Sequence, residues 1–288
     1  MKAPSANQAT LGYLFTFTAA SLWALLGPVS RIPLGNGISP MEVAFWRAFF
    51  GALCFVAHAV LTKQYRVSAK DSLALAGFGV IGIAAFFTFV QVGVQRSGAA
   101  MTSVLLYTGP FWVALFSRIF FKERLTPLKM AAIVVAMAGV ALLCLSGGST
   151  PQKHDIIGIL FGLLSGLAYS THYVFNTIYL KRFSSITIYA YCLTVGCLVL
   201  LPFIDFVHKS PEDWLALMTI GVISSYGAYS AYCEGLKRLA PTKVAVLSNL
   251  EPLLTTVLAF VFWGELFPLL GWFGAGLVLV GIFMVIKE

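Results

Sequence analysis

The 288-residue chain is 59% hydrophobic, only 10% of its residues are charged, and its net charge at pH 7 is +8. Soluble domains carry about 25% charged residues, so this composition excludes a soluble globular protein and leaves no room for a soluble catalytic domain. The five cysteines show neither a disulfide framework nor a metal-ligand spacing, and we therefore expect no metal and no cofactor.

Apolar segments follow one another along the whole chain. A transmembrane helix needs about 20 consecutive apolar residues. The segments that meet this requirement are 11–31, 39–62, 72–94, 99–121, 127–146, 155–180, 184–207, 213–235, 243–263 and 266–286. The first has no small-residue cleavage site after a short apolar core, which favours a retained span over a signal peptide. The sequence therefore predicts an all-α integral membrane protein with ten transmembrane helices.

The basic residues indicate how these helices are oriented. If the amino terminus is cytoplasmic, 14 of the 19 Lys and Arg residues fall in cytoplasmic connections, four fall outside, and Arg47 lies within a span. Cytoplasmic loops of membrane proteins carry the excess of basic residues. We therefore predict a multi-pass protein of the cell membrane, the inner membrane of a bacterium, with both termini cytoplasmic. The positive charge is attributed to these loops, and no nucleic-acid partner is expected.

The chain contains an internal repeat. The residues that recur 142 positions apart are Gly93 and Gly235, Arg96 and Arg238, Val104 and Val246, Leu105 and Leu247, Pro110 and Pro252, Glu123 and Glu265, and Gly139 and Gly281. Near the start of each copy the offset is 146, as between Gly12 and Gly158. Because each copy holds five spans, an odd number, the second copy enters the membrane from the opposite side. We predict two inverted five-helix repeats, residues 1–150 and 151–288.

These features resemble the drug/metabolite transporter superfamily and, within it, the ten-helix EamA-type exporters. The resemblance covers nearly the whole chain and rests on the two five-helix units, the Pro110–Glu123 and Pro252–Glu265 segments, and Pro40 with Arg47 on the second span. It implies export of small metabolites through a central cavity. Members of the superfamily carry amino acids, nucleotide sugars, phosphorylated sugars and drugs, so the resemblance leaves the substrate open.

Glu251 is a carboxylate at membrane depth, next to Pro252 in the ninth span. An ionisable group there costs about 2.5–3.5 kcal/mol if it faces lipid, so it is a candidate functional residue. It would bind a substrate ammonium group or carry a proton. The alternative is a structural ion pair or a protonated acid buried between helices. Its counterpart in the first repeat is Gly109, so this feature is asymmetric.

Aromatic and polar side chains also recur near the centres of spans in both repeats, and Trp23 and Tyr169 are counterparts at the offset of 146. Polar tips at that depth need partners or water, which favours a cavity wall, although core packing explains each residue equally well. The predicted cavity residues are Trp23, Phe86, Tyr107, Tyr169, His172, Tyr226, Ser248, Asn249 and Glu251. The aromatic content favours a small solute with a flat apolar part, such as an aromatic amino acid.

Two prolines are predicted to bend helices. Pro110 and Pro252 each remove a backbone hydrogen bond within a span, so we expect helix bends there. Such bends either serve packing or shape the central cavity and let each half rock. Arg47 is interpreted as a structural charge near the outer interface, and Glu123 and Glu265 as carboxylates that satisfy free N–H groups at helix ends.

The sixth span carries a stripe of small residues. Gly158, Gly162 and Gly166 are spaced four residues apart, so they share one face of a helix. Such a stripe predicts that another helix approaches this face closely.

The leading hypothesis is a carrier that works by alternating access and is not an enzyme. Its partners would be a small-molecule substrate, an amino acid or related metabolite, and the lipid bilayer, with protons as a candidate coupling ion. Export of another metabolite or a drug remains the alternative. A lipid-modifying enzyme or a channel would belong to a different class, and the sequence shows neither clustered metal ligands nor a filter-like loop.

Overall fold

The computed structural model describes residues 6–146, 155–264 and 268–288, and within these ranges all regular secondary structure is helical. The α-helices are α1 (Ala6–Ala24), α2 (Leu26–Gly35), α3 (Pro40–Leu61), α4 (Ala69–Phe78), α5 (Phe86–Leu106), α6 (Gly109–Phe121), α7 (Pro127–Ser146), α8 (Ile156–Tyr179), α9 (Ser185–Leu200), α10 (Pro211–Gly221), α11 (Ala228–Leu236), α12 (Pro241–Ser248), α13 (Leu250–Trp263) and α14 (Leu269–Lys287). The prediction of an all-α protein is confirmed for these residues.

The helices are apolar enough for a membrane protein. Eight helical stretches within the described ranges have the length and composition to cross a bilayer, and Gly109–Phe121 is a shorter apolar helix. The longest stretch, Ala69–Leu106, is interrupted at Gly98, whose φ of 80° and ψ of 161° are not helical. That break separates the third and fourth predicted spans. The predicted count of ten transmembrane helices stays a prediction.

Two π-helical segments interrupt the α-helical geometry at matching places. Gly79–Ala85 joins α4 to α5, and Val222–Gly227 joins α10 to α11. Left-handed residues end α6 and α13 at Lys122 and Gly264, which are 142 positions apart. The two repeats therefore match in the irregularities of their backbones as well as in their sequences.

Helix starts and their tertiary contacts recur in the same way. Ser68 and Ser210 accept backbone hydrogen bonds at the starts of α4 and α10, from Asp71 N (3.1 Å) and Asp213 N (3.2 Å). Each aspartate then binds the other half of the chain. Asp71 accepts hydrogen bonds from Arg182 at 2.8 and 2.9 Å. Asp213 accepts one at 2.8 Å from Asn36, the counterpart of Arg182 at the offset of 146.

The helix packing follows this relation. The main pairs are α3 with α9, α7 with α14, α1 with α11, and α5 with α8. Helix α3 is the counterpart of α9, and α7 is the counterpart of α14. Helices α8 and α11 are the counterparts of α1 and α5, so the pair α1 with α11 corresponds to the pair α8 with α5. Each half therefore buries its apolar surface mainly against the other half.

Small residues set the closest approaches. In α8, the predicted glycine stripe packs on α5: a Cβ atom added at Gly162 would lie 2.7 Å from Leu105 Cδ1. In the α7–α14 pair, a Cβ atom at Gly139 would lie 2.6 Å from the carbonyl oxygen of Gly274. Both distances are too short for a real contact, so the spacing of these helices depends on glycine.

Candidate substrate cavity

A cavity of about 220 Å³ lies between the two halves. Five of the nine predicted cavity residues line it: Trp23, Phe86, Tyr107, Tyr169 and Glu251. Its wall continues to Leu34 and Pro40, on either side of the connection between α2 and α3. The cavity is therefore reached from the end of the molecule where that connection lies.

Interrupted helices bring Tyr107 and Glu251 into the cavity wall. Helix α5 ends at Leu106, and Tyr107 follows with a φ of −76° and a ψ of 9°. Its counterpart Asn249 has a φ of −66° and a ψ of −3° and separates α12 from α13. Glu251 then lies in the first turn of α13, where free N–H groups and the helix dipole stabilise a carboxylate.

The predicted proline bends take a different form. Pro110 and Pro252 lie in the first turns of α6 and α13, where a missing N–H group costs no intrahelical hydrogen bond. The interruption comes two or three residues before each proline, at Tyr107–Thr108 and at Asn249. The expectation of a kink within a continuous helix is therefore corrected to a break between two helices.

Arg47 also lines the cavity, although the sequence indicated a structural charge near the interface. Arg47 Nε donates to Ser225 Oγ (3.1 Å), Nη2 donates to the carbonyl oxygen of Ser224 (3.4 Å), and the guanidinium lies 5.4 Å from the ring centre of Phe87. These contacts hold α3 against the Val222–Gly227 segment. Arg47 therefore both holds α3 against this segment and lines the cavity.

Arg47 and Glu251 bring opposite charges to one cavity. The two groups are close enough to interact electrostatically, yet they form no direct ion pair in the described part of the chain. Glu251 instead lies near the side chain of Tyr107, which also lines the cavity. Arg47 Nη1 has no hydrogen-bond acceptor among the described residues. Each charged group therefore keeps capacity to bind a further partner.

The rest of the wall is mainly aromatic. Trp23 packs edge-on against Tyr229 with ring centres 5.8 Å apart, and Phe86 stacks on Tyr169 at 5.9 Å. Such contacts hold large apolar surfaces in fixed positions. The cavity consequently combines two charged groups with a rigid aromatic surface.

His172 and Tyr226 do not line the cavity. His172 Nε2 donates to the carbonyl oxygen of Gly82 at 2.6 Å, and its ring stacks at 5.7 Å on Tyr229, which separates it from the cavity. The Tyr226 hydroxyl lies 2.7 Å from His58 Nδ1, against α3. The sequence placed both residues at a suitable depth in a helix, but it did not fix the direction in which each side chain points.

Ser248 and Asn249 also lie outside the cavity wall. Ser248 is only 2% exposed and Asn249 only 1%. Ser248 Oγ donates to the carbonyl oxygen of Val244 at 2.9 Å. They lie on the closed side of the cavity, one turn before Glu251. Among the predicted residues of the second repeat, Tyr169 and Glu251 therefore line the open cavity, whereas Ser248 and Asn249 are buried.

Five further residues of the cavity wall were not predicted from the sequence: Arg47, Tyr229, Phe87, Ser30 and Gln91. The repeat relates some of the residues that line the cavity. Phe87 and Tyr229 are counterparts at the offset of 142, just as Trp23 and Tyr169 are at the offset of 146. Both members of these two pairs line the cavity, so each pair contributes to a surface that both halves share.

Glu123 participates in an ionic cluster. Its carboxylate accepts from Lys129 Nζ (3.1 Å) and Thr242 Oγ1 (3.0 Å), and Lys129 also pairs with Glu288 (3.2 Å). Its partners are side chains, whereas capping of free N–H groups was expected. Glu265 lies outside the described residues. Within the described ranges, no three His, Cys, Asp or Glu residues are placed to share a metal ion.

Comparison with known proteins identifies the family. A model described as the EamA-like transporter family matches residues 10–145 and 156–287. The chain belongs to this family. It is a membrane transporter with two EamA domains, which correspond to the two halves of the repeat.

Relatives of this EamA protein span nearly its whole length. The uncharacterized transporter YdfC of Bacillus subtilis is 26% identical over 90% of this chain and 85% of its own, and the uncharacterized inner membrane transporter YicL of Salmonella typhimurium is 24% identical over 95% and 94%. A probable terminal-alkyne amino-acid exporter of Streptantibioticus cattleyicolor is 23% identical over 91% and 89%. A solved crystal structure shares the fold with a TM-score of 0.82, 20% identity and 95% coverage of both chains.

Proposed function

We propose that this EamA protein exports a zwitterionic amino acid, with an aromatic side chain favoured, by alternating access through the central cavity. The observation that carries the proposal is the pair Arg47 and Glu251, which line one cavity without a direct ion pair. An α-amino acid carries the complementary charges on adjacent groups. Its carboxylate would bind Arg47 and its ammonium group would bind Glu251.

The energetics favour such a ligand. Charges in a low-dielectric site attract one another more strongly than in water, and hydrogen bonds between charged groups are about twice as strong as neutral ones. Arg47 uses Nε and Nη2 for protein contacts, so Nη1 remains for a carboxylate. A zwitterion would satisfy both charged residues at once, whereas a singly charged solute would leave one of them without a partner.

Cavity size and wall chemistry support a small substrate with an apolar side chain. The cavity of about 220 Å³ is smaller than typical drug-sized pockets of roughly 300–1,000 Å³. Its aromatic wall offers apolar contact to the side chain of the amino acid. The printed name of the Streptantibioticus relative, a probable amino-acid exporter, is consistent with this class of substrate. Export of another metabolite or a drug is the alternative.

The depth of the charged pair suits a carrier. Ten residues separate Glu251 from Pro241, which corresponds to about 15 Å along a helix, half of a hydrocarbon core about 30 Å thick. In transporters built from inverted repeats, substrate sites lie near the midplane beside interrupted helices. The breaks at Tyr107 and Asn249 are interruptions of this kind.

The direction of the cavity follows from the proposed topology. With both termini cytoplasmic, as the distribution of basic residues favours, the connection between α2 and α3 lies outside the cell. The cavity would then be open to the outside, in the inner membrane of a bacterium. The opposite end is closed, which supports a carrier with a substrate site exposed to one side at a time and argues against a continuous channel.

A counterflow assay in proteoliposomes tests the proposal. Vesicles loaded with unlabelled phenylalanine, tyrosine or tryptophan should take up the same labelled amino acid in a saturable, trans-stimulated way. The matching amine without a carboxylate and the acid without an amino group should compete much less well. Uptake that does not saturate would contradict a carrier, and equal competition by singly charged analogues would contradict zwitterion recognition.

A further inference from the structure

Beneath the cavity floor lies a layer of buried polar side chains, which we call the inner cluster: Asn176, Tyr189, Tyr232, Cys233 and Asn249. Each of these residues is no more than 1% exposed. Asn176 Nδ2 donates to the Tyr189 hydroxyl (3.0 Å), and Cys233 Sγ donates to Asn176 Oδ1 (3.7 Å). The cluster is closed to solvent in this conformation, so none of it contributes to the open cavity.

The inner cluster is incompletely satisfied. The Tyr232 hydroxyl and Asn249 Nδ2 are buried without a hydrogen-bond partner among the residues that the structure describes. Almost all buried polar groups in proteins are hydrogen-bonded, because leaving such a group without a partner costs free energy. Apolar side chains of similar volume would pack here without that cost. The two groups therefore suggest a state in which they meet water or a ligand.

The repeat connects the inner cluster to the open cavity. Each of its five residues has a counterpart that lines the cavity. The pairs are Asn176 with Ser30, Tyr189 with Val43, Tyr232 with Val90, Cys233 with Gln91, and Asn249 with Tyr107. If the two halves exchange conformations during transport, the positions that are now buried take the place of the positions that are now exposed.

We infer that the inner cluster is a second substrate-contacting surface, which lines the cavity when it opens to the opposite, cytoplasmic side. This inference rests on the proposed alternating-access function. Arg47 and Glu251 have Leu193 and Gly109 as counterparts, so the cytoplasmic cavity has no second charged pair. The inner cluster offers neutral hydrogen-bonding groups to a polar substrate that approaches or leaves Arg47 and Glu251.

Cys233 provides a natural reporter of that opening, and Cys192 is its matched control. Both residues are 0% exposed. The counterpart of Cys233 is Gln91, which lines the open cavity, whereas the counterpart of Cys192 is Trp46, which does not. The opening should therefore expose Cys233 and leave Cys192 buried.

The experiment uses two full-length chains, each with a single cysteine. In the first, Cys233 remains and Cys54→Ala, Cys144→Ala, Cys192→Ala and Cys197→Ala remove the others; in the second, Cys192 remains and Cys233→Ala replaces Cys192→Ala. Inside-out vesicles are treated with a membrane-impermeant maleimide, with and without a transported amino acid. Counterflow is measured on the same proteins.

We expect the amino acid to raise the labelling rate of Cys233 at least threefold and to leave that of Cys192 unchanged. If the two cysteines are labelled equally in proteins that transport, the inference that the inner cluster lines the cytoplasmic cavity is wrong, while the proposed function stays intact. Absence of counterflow for every amino acid would instead overturn the proposed function on which the inference rests.

Hydrogen exchange of the unmodified protein gives a second measurement that does not depend on the cysteine substitutions. During turnover, peptides from α11 and α12 should exchange faster, while peptides from the middle of α9 should not change. Unchanged exchange in α11 and α12 of a transporting protein would also overturn the inference.

Discussion

At matching positions, the two repeats break their helices in the same way but present different side chains. The break after α5 is followed by Gly109, and the break after α12 is followed by Glu251. Likewise, Arg47 on α3 corresponds to Leu193 on α9. The shared breaks belong to a scaffold that both halves need. Arg47 occurs only in the first repeat and Glu251 only in the second. In the proposed function, substrate recognition therefore depends on positions where the two repeats differ.

The strongest test of this difference is Glu251→Gln, which makes the charged position neutral without changing its size much. We expect kcat/KM for a zwitterionic amino acid to fall about 100-fold, because the ammonium group loses a charge-assisted hydrogen bond. Glu212→Gln, at the exposed start of α10, is the control and should transport normally. Unchanged transport by Glu251→Gln at all pH values would remove Glu251 from the mechanism.

The second test concerns Arg47. Arg47→Gln should lower kcat/KM about 30-fold and should reduce the preference for amino acids over amines that lack a carboxylate. Arg47→Lys keeps the positive charge but loses the planar group that can bind a carboxylate through two hydrogen bonds, so it should recover part of the activity. The measurement is competition in counterflow. A uniform loss of transport without loss of discrimination would indicate that Arg47 only holds α3 against Ser224 and Ser225.

The sequence predicted the scaffold better than the site, for a physical reason. The lengths of the apolar segments and the internal repeat are properties of whole segments. They predicted the all-α fold, and the glycine spacing predicted the close packing of α8. The direction of one side chain depends on helix rotation, and the π-helical segments at 79–85 and 222–227 change that rotation locally. Tyr226 lies within the second π-helical segment, where its hydroxyl contacts His58 and does not line the cavity. His172 lies in the regular helix α8, and its depth in that helix did not reveal that its ring contacts Gly82 and Tyr229. Arg47 was assigned only its structural contact.

The shared scaffold can be tested on α14, where two glycines lie two residues apart. A Cβ atom at Gly274 would lie 2.7 Å from the Gly139 carbonyl oxygen, whereas one at Gly276 would have no atom of the described residues within 4 Å. Gly274→Ala should therefore lower the free energy of unfolding by about 1–3 kcal/mol through overpacking. Gly276→Ala should leave it unchanged or raise it by up to about 1 kcal/mol, because alanine favours helix. Thermal unfolding of the purified variants measures both, and equal effects would contradict close packing of α7 and α14.

The smallest effect is expected where the two repeats use different partners for the same role. Arg182 binds Asp71 through two hydrogen bonds, and Asn36 binds Asp213 through one. Arg182→Asn would make the first contact resemble the second. Because 61% of the Arg182 side chain is exposed, solvent screens its ion pair, and such pairs contribute about 0–1 kcal/mol. Thermal unfolding should therefore change little and counterflow should remain normal. A large loss of transport would show that this ion pair controls the conformational change, and the difference between the repeats would then extend beyond the substrate cavity.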